Sequence, residues 1–330
     1  MTIPTRSLGR NGPQVPAIGL GCMSIGAAAY GSDDQTIEDK LEVLERAWEI
    51  GARFWDTADI YIKSEDRIGD WFKNTGKRDD IFLASKFGII FDPATGSIGL
   101  DSSPEYARGA CERSLARLGV ETIDLYYCHR VDGKTPIEKT MEALVQLKNE
   151  NKIRHIGLSE VSAATIRRAH AVHPITAVQV EYSPFCLDIE SPQQPVLETC
   201  RELGIAVVAY SPMGRGLLTG QVKSFDDLPE SDFFRRNTAK SSRENFPKIM
   251  KLVEKIGTIA ARHSCSTAQV CLAWVMAQGE DVIPIPGTRT IKYLEENMKA
   301  LAVKLSGEEL EELRRYVDEI KVDGDRYPTV

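Results

Sequence analysis

The 330-residue chain predicts an α/β fold, a closed (β/α)8 barrel of the TIM type, as one domain over 1–330. Three observations predict it. Short apolar runs alternate with helical periods along the chain, and eight of those runs read as strands. Three successive runs stop at an ionisable residue: Arg53-Phe54-Trp55 at Asp56, Ile81 to Ser85 at Lys86, and Ile123 to Cys128 at His129. No low-complexity segment or solenoid-length repeat interrupts the alternation. The runner-up is a doubly wound open sheet, which needs two halves and a switch point that the chain does not mark.

The elements follow in order. Residues 5 to 16, with Gly9, Gly12 and Pro13 at a turn, predict an N-terminal β-hairpin. Ala17 to Met23 is the first core strand. Thr36 to Ile50 carries Ile37, Leu41, Val43, Leu44, Ala47 and Trp48 at helical spacing, and Gly51 closes it. Strands 52–56, 81–86, 123–128, 153–158, 176–180 and 205–210 then alternate with helices 64–73, 103–118, 136–150, 162–172 and 193–203. Strand 282–285 and helix 291–302 complete the barrel. Ser306 and Glu309 form a capping box that starts a last helix, running to Ile320. After Tyr210 the chain stays irregular to about Asn245. A long loop at the C-terminal end of the seventh strand reads as a lid, held by Phe225, Leu228, Phe233 and Phe234.

Composition narrows the function. A net charge of −7 argues against a general nucleic-acid binder. No apolar run reaches membrane-spanning length, and Met1 to Arg6 has no signal-peptide core. Cys22, Cys111, Cys128, Cys186, Cys200, Cys265 and Cys271 are scattered and odd in number, without a C-x-x-C pair. That pattern fits reduced, mostly buried thiols in the cytoplasm, with neither a disulfide framework nor a metal site.

In a parallel barrel Asp56, Lys86 and His129 open on one face, with Tyr61 on the loop above them. An unpaired buried carboxylate is costly, so Asp56 needs a partner, and the strand ends at Lys86 and His129 offer two candidates. A phenol is a poor acid at neutral pH, and an adjacent ammonium lowers its pKa. This set suits protonation of a carbonyl oxygen as hydride reaches carbon, and hydride requires a nicotinamide. The Rossmann fingerprint is absent: Gly19 and Gly21 are followed by Ser24, with no helix opening there. Barrels bind phosphate at the loops after strands 7 and 8, here Gly214-Arg215-Gly216 and Gly287-Thr288-Arg289.

Over essentially its whole length the sequence resembles the aldo-keto reductases. The resemblance rests on Gly19 to Met23, Asp56 to Tyr61, Ser85 to Gly88, Asp124 to His129 and Ile156 to Ser159. It continues through Gln179 to Ser183, Tyr210 to Gly216 and Ile285 to Arg289. It is nearer the microbial and plant branch with an Ile-Pro-Gly-Thr-Arg loop. It implies NADP as cofactor and Tyr61 as proton donor, supported by Lys86 and Asp56, with His129 orienting the carbonyl. Cofactor contacts are implied at Gly21, Cys22 and Met23. Ser159 and Gln179 are implied on the nicotinamide carboxamide and Tyr210 on its ring. Ser211, Pro212, Met213, Gly214, Gly216 and Leu218 are implied over the pyrophosphate. Gly287, Thr288 and Arg289 are implied at the 2′-phosphate, and Glu296 and Asn297 near the adenine. Glu160 departs from the family, where Asn commonly follows the serine.

Two other classes stand beside this reading. A barrel glycosidase would use carboxylates such as Asp56, Glu160 and Glu181, leaving Tyr61, Lys86 and His129 idle. A non-catalytic NADP-binding regulatory subunit would keep the same residues. Met23, Trp55, Ile62, Phe87 and Phe185 predict an apolar, partly aromatic pocket that suits a small aromatic carbonyl substrate.

Overall fold

The structure is a computed structural model and describes residues 3–26, 35–92, 95–320, 322 and 324, without the side chains of 233 and 234. Its strands are β1 (Thr5–Ser7), β2 (Gln14–Pro16), β3 (Leu20–Gly21), β4 (Phe54–Asp56), β5 (Phe82–Phe87), β6 (Ile89–Phe91), β7 (Ile98–Leu100), β8 (Ile123–Cys128), β9 (Ile153–Ser159), β10 (Ala177–Glu181), β11 (Ala206–Tyr210) and β12 (Val282–Pro284). Its helices are α1 (Met23–Gly26), α2 (Ile37–Glu49), α3 (Ser64–Thr75), α4 (Pro104–Leu118), α5 (Ile137–Asn149), α6 (Ala163–Val172), α7 (Val196–Leu203), α8 (Phe233–Asn237), α9 (Phe246–Arg262), α10 (Thr267–Ala277), α11 (Ile291–Lys299) and α12 (Gly307–Ile320).

Eight parallel strands pair in the order β3-β4-β5-β8-β9-β10-β11-β12. The two ends of that order meet: Gly19 N donates to Pro284 O at 3.0 Å and Gly21 N to Pro286 O at 3.1 Å. The sheet is therefore a closed barrel. A Cβ on Gly21 would stand 2.9 Å from Ile285 O, so the seam needs glycine there. β1 and β2 form the expected hairpin.

Strand parity sorts the core. Phe54, Ala84, Leu125, Tyr127, Ala177, Ala206, Val208 and Ile283 fill the barrel interior. Their neighbours Trp55, Leu83, Tyr126, Ile156, Val178 and Val207 point outward and pack with the helices. Gly157 sits beside Tyr127 in register, where a Cβ would come within 2.3 Å of that ring. The helices start where side chains satisfy their first amides. Thr36, Ser103, Ser162, Ser266 and Thr290 are N-caps, and Ser306 and Glu309 exchange the two bonds of the expected box.

Several expectations need correction. The first core strand is shorter than Ala17 to Met23, because the chain turns into α1 at Met23. β6 and β7 form a second hairpin, paired Ile89 with Leu100 and Phe91 with Ile98, that the sequence reading passed over. The stretch after Tyr210 is not irregular. It holds short 3-10 turns at 217–219, 225–227 and 239–241, plus α8. It builds its own small core from Leu217, Leu228, Phe246 and Ile249, with Phe225 packed against it. Phe233 and Phe234 lie outside the described side chains. Helices α9 and α10 went unassigned because their apolar faces follow a loop-rich stretch and no strand separates them.

Candidate active site

Parity also delivers the functional side chains. Asp56 lies two residues beyond Phe54, Lys86 two beyond Ala84, and Gln179 two beyond Ala177, so each continues an inward-facing row. His129 follows Tyr127 by the same step, just past β8. Asp56, Lys86, His129, Ser159 and Gln179 are all buried at the C-terminal mouth. Tyr61 is half-buried on the loop between β4 and α3.

Lys86 is the hub, with a side chain fully out of solvent. Its Nζ donates to Asp56 Oδ1 at 2.5 Å, to Thr57 O at 2.7 Å and to Tyr61 Oη at 3.5 Å. An ammonium has three protons, so each is committed. Asp56 Oδ2 takes a second bond from Gln179 Nε2 at 2.7 Å. Burial works against charge on Lys86, but Asp56 and Tyr61 outweigh it and raise its pKa. Burial raises the Asp56 carboxyl, and Lys86 and Gln179 oppose that in part.

Tyr61 behaves differently from the expectation. Burial raises its hydroxyl pKa, and Lys86 only pulls part of that shift back. The ammonium therefore keeps the phenol from climbing further; it does not bring it below the ordinary value. Because Lys86 donates to the Tyr61 oxygen, the phenolic proton is directed elsewhere. The His129 ring stands edge-on to Tyr61, with centroids 5.9 Å apart. Burial first, then Lys86 and the neighbouring Arg130, push His129 well below the usual histidine range. At neutral pH the set therefore offers a protonated phenol, a neutral imidazole and a fixed ammonium–carboxylate pair.

Of the remaining predicted residues, most follow the C-terminal ends of barrel strands, while Glu296 and Asn297 lie within α11. Cys22 N donates to Asp56 O at 2.8 Å, while its thiol is buried and Met23 is half-buried at the start of α1. Ser159 Oγ accepts from Arg130 Nη1 at 3.2 Å. Tyr210 ends β11 and faces inward. Beyond it Ser211, Gly214, Arg215 and Gly216 have φ of 49°, 57°, 56° and 83°. That left-handed run folds the loop onto itself: Gly214 N reaches Ser211 O and Leu218 N reaches Met213 O. Pro212 and Gly214 are buried in it, and the Leu218 side chain anchors it in the main core. Gly287, Thr288 and Arg289 lead into α11, which Thr290 caps. Asn297 is buried on that helix, and Glu296 O accepts from Gln269 Nε2 at 3.0 Å.

Glu160 does not leave the mouth. It adopts φ of 51°, and its Oε1 accepts from Glu181 N at 2.9 Å. Glu181 is buried with Arg215 Nη2 3.7 Å from its Oε2. Trp55 and Phe87 are not pocket residues. Each follows or precedes an inward charged residue by one position, so each points outward; Trp55 packs on Trp71 and Phe87 stacks on Tyr126. Ile62 is 65% exposed, and Phe185 and Met23 are half-buried. Two participants went unread in the sequence. Thr57 contributes only its carbonyl, which no sequence signal marks. Arg130 directly follows His129 at a strand end, and that position was a signal.

The profile of the Aldo/keto reductase family matches residues 17–318. The chain is 51% identical to the aldo-keto reductase yakc [NADP(+)] of Schizosaccharomyces pombe, covering 99% of this chain and 95% of that protein. It is 49% identical to the aldo-keto reductase str7 of Strobilurus tenacellus, with 99% and 95% covered. Among solved structures, a glycerol dehydrogenase from Gluconobacter oxydans superposes with a TM-score of 0.84 at 27% identity, over 100% of this chain and 98% of that one.

Proposed function

The chain belongs to the aldo/keto reductase family, and on that premise we propose that it reduces a small aldehyde or ketone to an alcohol, reversibly, with NADPH. The observation that carries this reading is the commitment of Lys86: its ammonium donates to Asp56, Thr57 O and Tyr61 Oη. Because Lys86 donates to the Tyr61 oxygen, the phenolic O–H is the proton the set can offer a substrate. His129 is neutral at working pH, so it positions the carbonyl oxygen by a hydrogen bond and does not compete as the acid.

The residues present fit such a cofactor. His129 Nδ1 is buried without a hydrogen-bond partner among the described residues. The amino end of α11, with Arg289 just ahead of it, suits an anionic group. When bound, the nicotinamide supplies the hydride for the carbonyl carbon. Ser159 and Gln179 would orient its carboxamide and Tyr210 would cover its ring. The 211–218 loop would hold the pyrophosphate, and Arg289 would read the 2′-phosphate. Met23, Ile62 and Phe185 favour a substrate with an apolar or aromatic body. The glycosidase reading loses ground because Asp56, Glu160 and Glu181 each already hold a polar partner.

The test is a panel of aromatic and aliphatic carbonyls with NADPH and NADH. Tyr61→Phe should lower kcat about 10²–10⁴-fold with NADPH affinity unchanged. Arg289→Ala should weaken NADPH by about 1.5–3 kcal/mol and leave NADH almost untouched. Tight NADPH binding with no turnover on any carbonyl would favour the regulatory-subunit reading instead.

A further inference from the structure

Gln179 is 3% exposed, and its amide faces the one carboxylate in the barrel interior that also holds Lys86. A carboxylate bound to an ammonium is an acceptor only. The amide must therefore turn its NH2 towards Asp56, and Oε1 is its one remaining acceptor. The site thus has a continuous path: Gln179 Nε2 to Asp56 at 2.7 Å, Asp56 to Lys86 at 2.5 Å, and Lys86 to Tyr61 at 3.5 Å.

We propose that Gln179 is a positioning residue for the Asp56–Lys86 pair, so that seating of the nicotinamide and ionisation of the proton-donating set are coupled through one amide. This rests on the reductase reading for its cofactor half. Its protein half stands on the geometry alone. A carboxamide N–H donated to Oε1 would polarise the amide and strengthen its bond to Asp56. Conversely, the bond to Asp56 opposes a flip of the amide, so Oε1 stays the acceptor that Gln179 offers the cofactor.

The charged and titratable groups around Asp56 are Lys86 on β5, Tyr61 on the following loop, Cys22 beside β3, and Tyr127 and His129 at β8. Among these Lys86 alone is a cation, and Gln179 is the second donor to the carboxylate. Removing a donor to the charged form of an acid raises its pKa. Loss of Gln179 should therefore move the acid limb of the reaction upward.

The experiment has two arms. In the apoprotein, urea unfolding of Gln179→Met, Asp56→Asn and the double variant forms a cycle without cofactor. The double variant's unfolding constant should depart from the product of the singles by a factor of about three or more. In the holoenzyme, single-turnover reduction by Gln179→Met should show its acid limb raised by at least about half a pH unit. Gln179→Asn, which keeps an amide on a shorter arm, should share that shift and serves if the Met variant does not fold. An additive cycle overturns the proposal. So does a weaker NADPH affinity with a pH profile superimposable on wild type, which would leave Gln179 a cofactor contact alone. If wild type reduces no carbonyl, the reductase reading fails, and the apoprotein cycle still decides whether Gln179 holds Asp56.

Discussion

Adjacent residues on β5 look into two different buried acid clusters. Lys86 points into the barrel and meets Asp56. Ser85 points outward, and its Oγ donates to Glu65 Oε1 at 2.6 Å. Asp59 shares the outer cluster, with Arg117 Nη1 3.3 Å from Glu65 Oε2. Both clusters draw their acids from the same ten residues, 56–65. The inner cation is fully buried and spends all three protons, whereas the Arg117 side chain is 37% exposed. Asp59 Oδ1 is buried with no hydrogen-bond partner among the described residues. Burial, aided by Glu65, pushes the Asp59 carboxyl up to about 7. The lesson is that burial alone does not set charge. A desolvated cation in contact fixes an ion pair, and a half-solvated one lets a carboxyl keep its proton.

The comparison breaks most sharply at its hub. Lys86→Met should leave Asp56 as an unpaired buried charge, costing about 3–5 kcal/mol in denaturant unfolding at neutral pH. Adding Asp56→Leu should restore a large part of that stability without restoring reduction. If Lys86→Met is as stable as wild type, the inner pair is not the fixed charge described.

A smaller effect separates the clusters by pH. The folded Asp59 carboxyl titrates near 7, above its unfolded value near 3.8. Between those values the native state binds the extra proton, so stability falls as pH rises through that window, by at most about 1.4 kcal/mol per unit. It should be fully present below pH 4 and lost above 7. Asp59→Asn should flatten the slope when unfolding is followed from about pH 4 to 8. A slope that survives the substitution would assign the proton elsewhere.

Smallest of all should be Glu65→Gln. The amide can still accept from Ser85, and the main loss is the charge facing a part-exposed Arg117. The cost should stay within about 1 kcal/mol. A loss as large as that of Lys86→Met would erase the distinction between the two faces of β5. The same variant removes the neighbour that helps raise Asp59, so the Asp59 midpoint should fall.

Much of this was legible in the chain. The apolar runs ending in Asp56, Lys86 and His129 are local facts, and parallel strands with helical connections leave their C-terminal ends on one face. Capping residues such as Ser306 and Glu309 marked helix starts for the same reason, since their partners are three residues away. The inward or outward sense of each strand residue was also implicit in alternation. Strict alternation sends Trp55 and Phe87 to the outer core.

Other features depended on groups distant in sequence. Gln179 and Asp56 are 123 positions apart, and only closure of the barrel brings an amide onto that carboxylate. The Lys86 contact to Thr57 uses a backbone oxygen that every residue carries, so nothing in the sequence distinguishes it. The Tyr61 shift was misjudged because proximity to a cation is visible in a motif, while desolvation is a property of everything packed around it. Charge pairing can be read from neighbours along a strand, but burial is set by the whole barrel, and for that phenol burial is the larger effect.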